Sequence, residues 1–142
     1  MHAPTAPASA SLATALFDAF NARDLSQWSE HLAPNAEFKY PGFRGGVEAA
    51  REYNAPFLKA FSDLHFRYTS SVTSGKRTVT TLTATGTHDG PLVTPAGVIP
   101  ATGRKIAIDA VLIVTVNGNQ IVKEETYWDR IEMMEQLGVA PA

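Results

Sequence analysis

The sequence predicts an α+β domain, helices first and a curved, mainly antiparallel sheet afterwards, because the hydrophobic period changes once along the chain. Two apolar stripes at helical spacing occupy the first half: Leu12, Leu16, Ala19 and Phe20, then Ala50, Tyr53, Phe57 and Phe61. From Leu64 onward the chain turns to long runs rich in Thr, Val and Ile, interrupted by glycine and asparagine. No internal repeat occurs, and 142 residues suffice for one domain with one core but not for two typical ones. We therefore expect a single domain over residues 11–142, preceded by a flexible tail over 1–10.

Each element has a local reason. Ser11 is suited to cap the first helix, which Asn21-Ala22-Arg23-Asp24 ends. A short second helix is expected from Leu25 to Leu32, with Trp28 and Leu32 four apart, stopped by Pro34-Asn35. Ala36 to Tyr40 reads as a brief strand ended by Pro41-Gly42, and a loop at Gly45-Gly46 leads into the third helix, which Pro56 is expected to kink. Four strands follow: Leu64 to Val72, Arg77 to Thr87, Lys105 to Val116 and Gln120 to Asp129. Ser74-Gly75-Lys76 joins the first pair and Asn117-Gly118-Asn119 the last. Asp89 to Arg104, rich in glycine and proline, is expected to be an exposed loop near a cavity mouth.

Composition removes several function classes. A net charge of −2 with scattered basic residues offers no footprint for nucleic acid or an anionic membrane, so neither partner is expected. The absence of cysteine excludes disulfides, thiolate metal sites and a cysteine nucleophile. The first ten residues lack the basic start and apolar stretch of a secretory signal, which leaves a cytoplasmic location as the expectation. There is no Gly-x-Ser-x-Gly elbow and no glycine-rich phosphate loop.

The candidate chemistry lies on the last strand. A tight turn at Gly118-Asn119 sets Asn117 opposite Gln120 and, in unbroken register, Glu125 opposite Leu112, Tyr127 opposite Ala110 and Asp129 opposite Ile108. One face then mixes Ile108, Ala110, Leu112 and Val114 with Lys123, Glu125, Tyr127 and Asp129, which suits a cavity wall carrying a few polar groups. Val111, Ile113, Glu124, Thr126 and Trp128 fall on the opposite face, where a subunit interface is plausible. A bulge in the hairpin would exchange the two faces.

Asp129, beside Tyr127 and Trp128, is the first candidate for proton transfer, since apolar walls raise a carboxyl toward working pH. Its plain structural alternative is a cap for the segment that follows. Glu125 and Asp129 sit four positions apart on a strand, roughly 13 Å at ~3.4 Å per residue, too far for a glycosidase pair. His88 ends a strand whose inner face carries Leu82, Ala84 and Gly86, and reads equally as a proton-transfer group or as a histidine bonded to backbone. Trp28, Tyr53 and Phe57, with Leu112, are expected to line the pocket. No histidine pair has metal-ligand spacing, so no metal is expected.

These residues together carry a resemblance. Gly86-Thr87-His88-Asp89-Gly90-Pro91-Leu92, then Pro100-Ala101-Thr102-Gly103-Arg104-Lys105-Ile106, then Ile121-Val122 leading to Tyr127-Trp128-Asp129 and Gln136-Leu137-Gly138, resemble the SnoaL-like polyketide (ester) cyclases from about Leu12 to Val139. The resemblance implies a cone-shaped α+β barrel, shared with nuclear transport factor two and ketosteroid isomerase, with N-terminal helices packed on a strongly curved, mainly antiparallel sheet. It commonly implies a homodimer through the outer sheet face. It also implies an intramolecular aldol closure without metal or organic cofactor, with Asp129 as general acid/base and His88 binding a substrate oxygen. Two departures alter the pocket wall: Glu125 stands where many relatives have tryptophan, and Lys123 where an acid is usual. The expected function is thus a cyclase, or related lyase or isomerase, acting on a small, mainly apolar oxygenated substrate. A non-catalytic carrier or dimerisation module, and a hydratase or epoxide hydrolase, remain as alternatives.

Overall fold

A computed structural model describes residues 8–139. Helix α1 spans Ala8–Asn21 and buries Leu12, Leu16, Ala19 and Phe20, the expected stripe, together with Phe17. It begins upstream of the expected cap: Ser11 lies exposed within the helix, and the alanine-rich start extends it to Ala8. Ser9 is buried there and accepts a 2.7 Å hydrogen bond from the buried Thr78 hydroxyl. Residues 1–7 of the expected tail lie outside the described residues. Helix α2 (Leu25–Ser29) is capped by Asp24, whose carboxylate accepts from the Gln27 N–H at 2.9 Å.

Leu32 does not end that helix but opens strand β1 (Leu32–Tyr40), because its side chain is buried against the sheet and pairs with Ile121. Pro34, which has no N–H to give, lies where the pairing of β1 with its neighbour lapses, between Leu32 and Glu37. A turn with Gly42 at φ +70° returns the chain as the short β2 (Phe43–Gly45), a strand the sequence did not announce. Helix α3 runs Val47–Ala60, and Pro56 sits within it without ending it.

The remaining strands follow expectation closely: β3 His65–Ser74, β4 Arg77–Thr87, then, after an excursion, β7 Lys105–Asn117 and β8 Gln120–Trp128. The excursion is not a bare loop. It forms a hairpin of β5 (Leu92–Thr94) and β6 (Gly97–Ile99), anchored by buried Leu92. Six strands form one sheet in the order β2-β1-β8-β7-β4-β3, antiparallel except where β1 runs parallel to β8. Helix α4 (Arg130–Leu137) closes the chain, ending at Gly138 in the left-handed region at φ +71°.

One irregularity decides what the sheet presents inward. Gln120 pairs with Asn117 and Ile121 with Val116, but Thr115 then pairs with Lys123, so Val122 is an extra, unpaired residue. This β-bulge shifts every later residue by one. Glu124 pairs with Val114, Thr126 with Leu112 and Trp128 with Ala110, all on the core side, while Glu125 pairs with Ile113 and Tyr127 with Val111 on the outer side. The unbroken register, and with it the placing of Lys123, Glu125 and Tyr127 on the inner wall and of Trp128 outside, is therefore corrected. The bulge has a physical reason: a regular register would set the Lys123 ammonium beside Val114 among apolar side chains, which costs desolvation with no partner.

Candidate active site

The inner face of the sheet and the helices across it enclose a cavity of about 110 Å³. Leu82, Ala84, Ile108 and Leu112 form the sheet wall, and α1 and α3 contribute Phe20 and Phe57 opposite. Most of the lining is hydrocarbon. Its polar part is a group of four side chains, Glu124 and Thr126 from β8, Tyr40 from β1 and Asn54 from α3.

Glu124 is 5% exposed, and burial pushes its carboxyl up to about 7. The Thr126 hydroxyl donates to Oε1 at 3.3 Å, while Oε2 has no hydrogen-bond partner. Across the β1–β8 pairing, Phe38 stands opposite Glu124 and Tyr40 two residues further along the same face. The Tyr40 phenol faces the carboxyl closely enough for each group to perturb the other, although Oε2 receives no well-formed hydrogen bond from it. Burial first, and the Glu124 charge second, hold Tyr40 well above the ordinary phenol value, so it keeps its proton at any working pH. Asn54 Nδ2 donates to the Tyr40 oxygen at 3.1 Å and to the Ala50 carbonyl at 2.9 Å.

A buried carboxyl titrating near neutrality, with one oxygen free and a cavity before it, can remove a proton from an activated carbon and return it to a nascent alkoxide. The sequence reading missed this residue because the bulge exchanged it with Glu125.

The expected site residues divide. Trp28, Phe57 and Leu112 line the cavity, and Phe57 meets Trp128 edge-to-face at 5.8 Å. Tyr53 stands just outside, stacked on Tyr40 at 4.6 Å, and burial raises its phenol to about 12. Glu125 faces outward, bound by the Tyr127 hydroxyl at 2.8 Å and lying 3.7 Å from Lys123; these hold it below the ordinary carboxylate range. Tyr127 is exposed beside it.

Asp129 is exposed and does not line the cavity: its Oδ1 accepts from the N–H groups of Ile131 at 2.9 Å and Glu132 at 3.2 Å, the capping alternative. His88 is fully buried but away from the lining, against Phe61 at 5.3 Å. Its Nδ1 accepts from the Thr102 N–H at 3.2 Å, which assigns the proton to Nε2. Nε2 has no partner, and burial lowers the imidazole. With its backbone bonds to Gly103 and Arg104, His88 closes the base of the β5–β6 excursion. Among the described residues no group of three metal-ligating side chains forms, and no helix is long and apolar enough to cross a membrane.

The family model for SnoaL-like polyketide cyclases matches residues 10–137. The chain belongs to that family. Solved structures agree on the fold. A protein from Jannaschia sp. CCS1 ascribed to the SnoaL-like polyketide cyclases is 20% identical, with a TM-score of 0.83 over 99% of this chain and 100% of that one. IdmH of Streptomyces antibioticus, to which a polyketide cyclase role is ascribed, is 26% identical, with a TM-score of 0.78 over 92% and 99%. AclR of Streptomyces galilaeus, ascribed to the hydroxylases, is 21% identical, with a TM-score of 0.81 over 94% and 83%. A search of curated proteins found no match. Membership in this family supports a cyclase or related activity and fits the cone-shaped α+β fold.

Proposed function

We propose that this protein catalyses a cofactor-independent cyclisation, or a closely related lyase or isomerase reaction, on a small, mainly apolar oxygenated substrate, with Glu124 in place of Asp129 as general acid/base. The observation that carries this reading is the free, buried Oε2 of Glu124 in a cavity otherwise lined mostly by hydrocarbon. In the aldol form, the Glu124 carboxylate takes a proton from the carbon beside a substrate carbonyl. The enolate carbon attacks a second carbonyl of the same molecule, the ring bond forms, and the alkoxide recovers the proton from the Glu124 carboxyl. A positioned group of matched acidity contributes typically ~100 to 10,000-fold to such a step.

The test uses a panel of enolisable ketones and aromatic 1,3-dicarbonyl compounds in heavy water, followed by NMR. At least one should exchange its acidic C–H or cyclise faster with wild type, and Glu124→Gln should lose that acceleration. Binding of panel members without exchange or cyclisation would instead support a carrier, a reading that the hydrocarbon lining also favours.

A further inference from the structure

The hydrogen bonds of Asn54 have a fixed direction. The Ala50 carbonyl can only accept, so the Asn54 atom 2.9 Å from it must be the amide nitrogen, and the orientation of the side chain is settled without ambiguity. The second hydrogen on the same nitrogen points to the Tyr40 oxygen at 3.1 Å. Asn54 thus occupies an accepting lone pair of Tyr40, and the phenol must direct its own proton elsewhere. Tyr40 and Glu124 lie on neighbouring strands, two positions apart on one inward face, and both line the cavity with Asn54. The phenol faces the Glu124 carboxyl, whose Oε2 has no partner in this structure, and that oxygen is an acceptor open to the phenol proton.

We infer that Asn54 is a positioning residue for Glu124: through Tyr40, it commits a phenol proton to the side of the pocket where the carboxylate must form. This rests on the proposed acid/base role of Glu124 for its use, but not for its test. A phenol that donates to the carboxylate stabilises the ionised form and offsets part of the cost of burying it. Without Asn54 the hydroxyl is free to rotate about its C–O bond, and Glu124 loses that support. Helix α3 supplies the anchor, since the carbonyl that orients Asn54 is one turn earlier on the same helix.

The experiment reads the titration of Glu124 directly, by carboxyl ¹³C NMR of the full-length protein without substrate, using Glu124→Gln to assign the signal. Tyr40→Phe should move the midpoint upward by about one to two pH units, the scale of a lost hydrogen bond to a charged group. Asn54→Ala should move it the same way by a similar or smaller amount, and in a Tyr40→Phe background it should add nothing. Should Asn54→Ala fail to fold, Asn54→Leu serves: it is close in volume, cannot donate and adds no charge beside Glu124, and the Glu124 midpoint should again rise. A midpoint unmoved by Asn54 substitution, or moved equally with and without the Tyr40 hydroxyl, overturns the inference. Such a result leaves the acid/base proposal standing, because that proposal is tested separately, by whether wild type accelerates exchange and whether Glu124→Gln loses that acceleration.

Discussion

Glu124 and Glu125 are neighbours in sequence with the same side chain, yet the fold sends them to opposite environments. Glu124 faces the cavity, where burial raises it to about 7 and leaves one oxygen free. Glu125 faces outward, where the Tyr127 hydroxyl and Lys123 hold it below the ordinary range. The difference owes nothing to the residue type; the side of the strand decides whether a carboxyl meets the cavity with one oxygen free or lies half-buried and paired on the outer face. On β8 that side is set by one unpaired residue, Val122.

The contrast can be broken most decisively through activity. Glu124→Gln should lower turnover of any active panel compound by roughly 100 to 10,000-fold, whereas Glu125→Gln should stay within a few-fold of wild type. Equal losses in the two variants, measured as kcat/KM, would erase the distinction between the faces.

Stability against pH sharpens it next. The folded Glu124 binds its proton more tightly than the unfolded chain does, so between the ordinary carboxylate value and about 7 the native state holds more protons and stability falls as pH rises. The loss over that window is about 3 kcal/mol if the shift is fully expressed. Glu124→Gln removes the slope, and urea unfolding should show it more stable than wild type at pH 8.5 but not at pH 4. Glu125 has the opposite sign. Its contribution is present above the ordinary carboxylate value and disappears as pH falls through its lowered value. For an outward-facing pair this amounts to about 0.5 kcal/mol.

Asp129 provides the smallest and most discriminating effect. As a helix cap it should tolerate Asp129→Asn, while Asp129→Ala costs about 1 kcal/mol in urea unfolding, and neither should abolish activity. A large loss of turnover in Asp129→Asn with stability unchanged would return the acid/base role to it.

The family resemblance implied Asp129 as the acid/base, but Asp129 caps α4 outside the cavity, and the carboxyl that reaches the cavity is Glu124, in the middle of β8. Tyr40 carried only the general signal of an aromatic that packs in a core or lines a cavity, and Asn54 had no sequence signal of its own. Tyr40 read as the last residue of a short strand, and Asn54 is a polar residue between the stripe positions Tyr53 and Phe57 on a helix whose partners lie far along the chain. His88 and the Thr102 segment show a similar limit, since the turn-rich stretch between β4 and β7 could be read as loop but not as a hairpin closed on a buried imidazole.

What the sequence determined by itself is whatever repeats over many residues: the helical stripes of α1 and α3, the long Thr- and Val-rich strands, the tight turns at Gly75 and Gly118, and the family. Such signals add along a segment, so a single irregular residue does not erase them. What only the tertiary structure decided is the direction in which individual side chains point. Strand alternation has a period of two, and one extra residue at Val122 reverses it for all that follows; the sequence carries no local mark strong enough to place that residue, because the bulge is selected by burying Trp128 and keeping Lys123 in solvent.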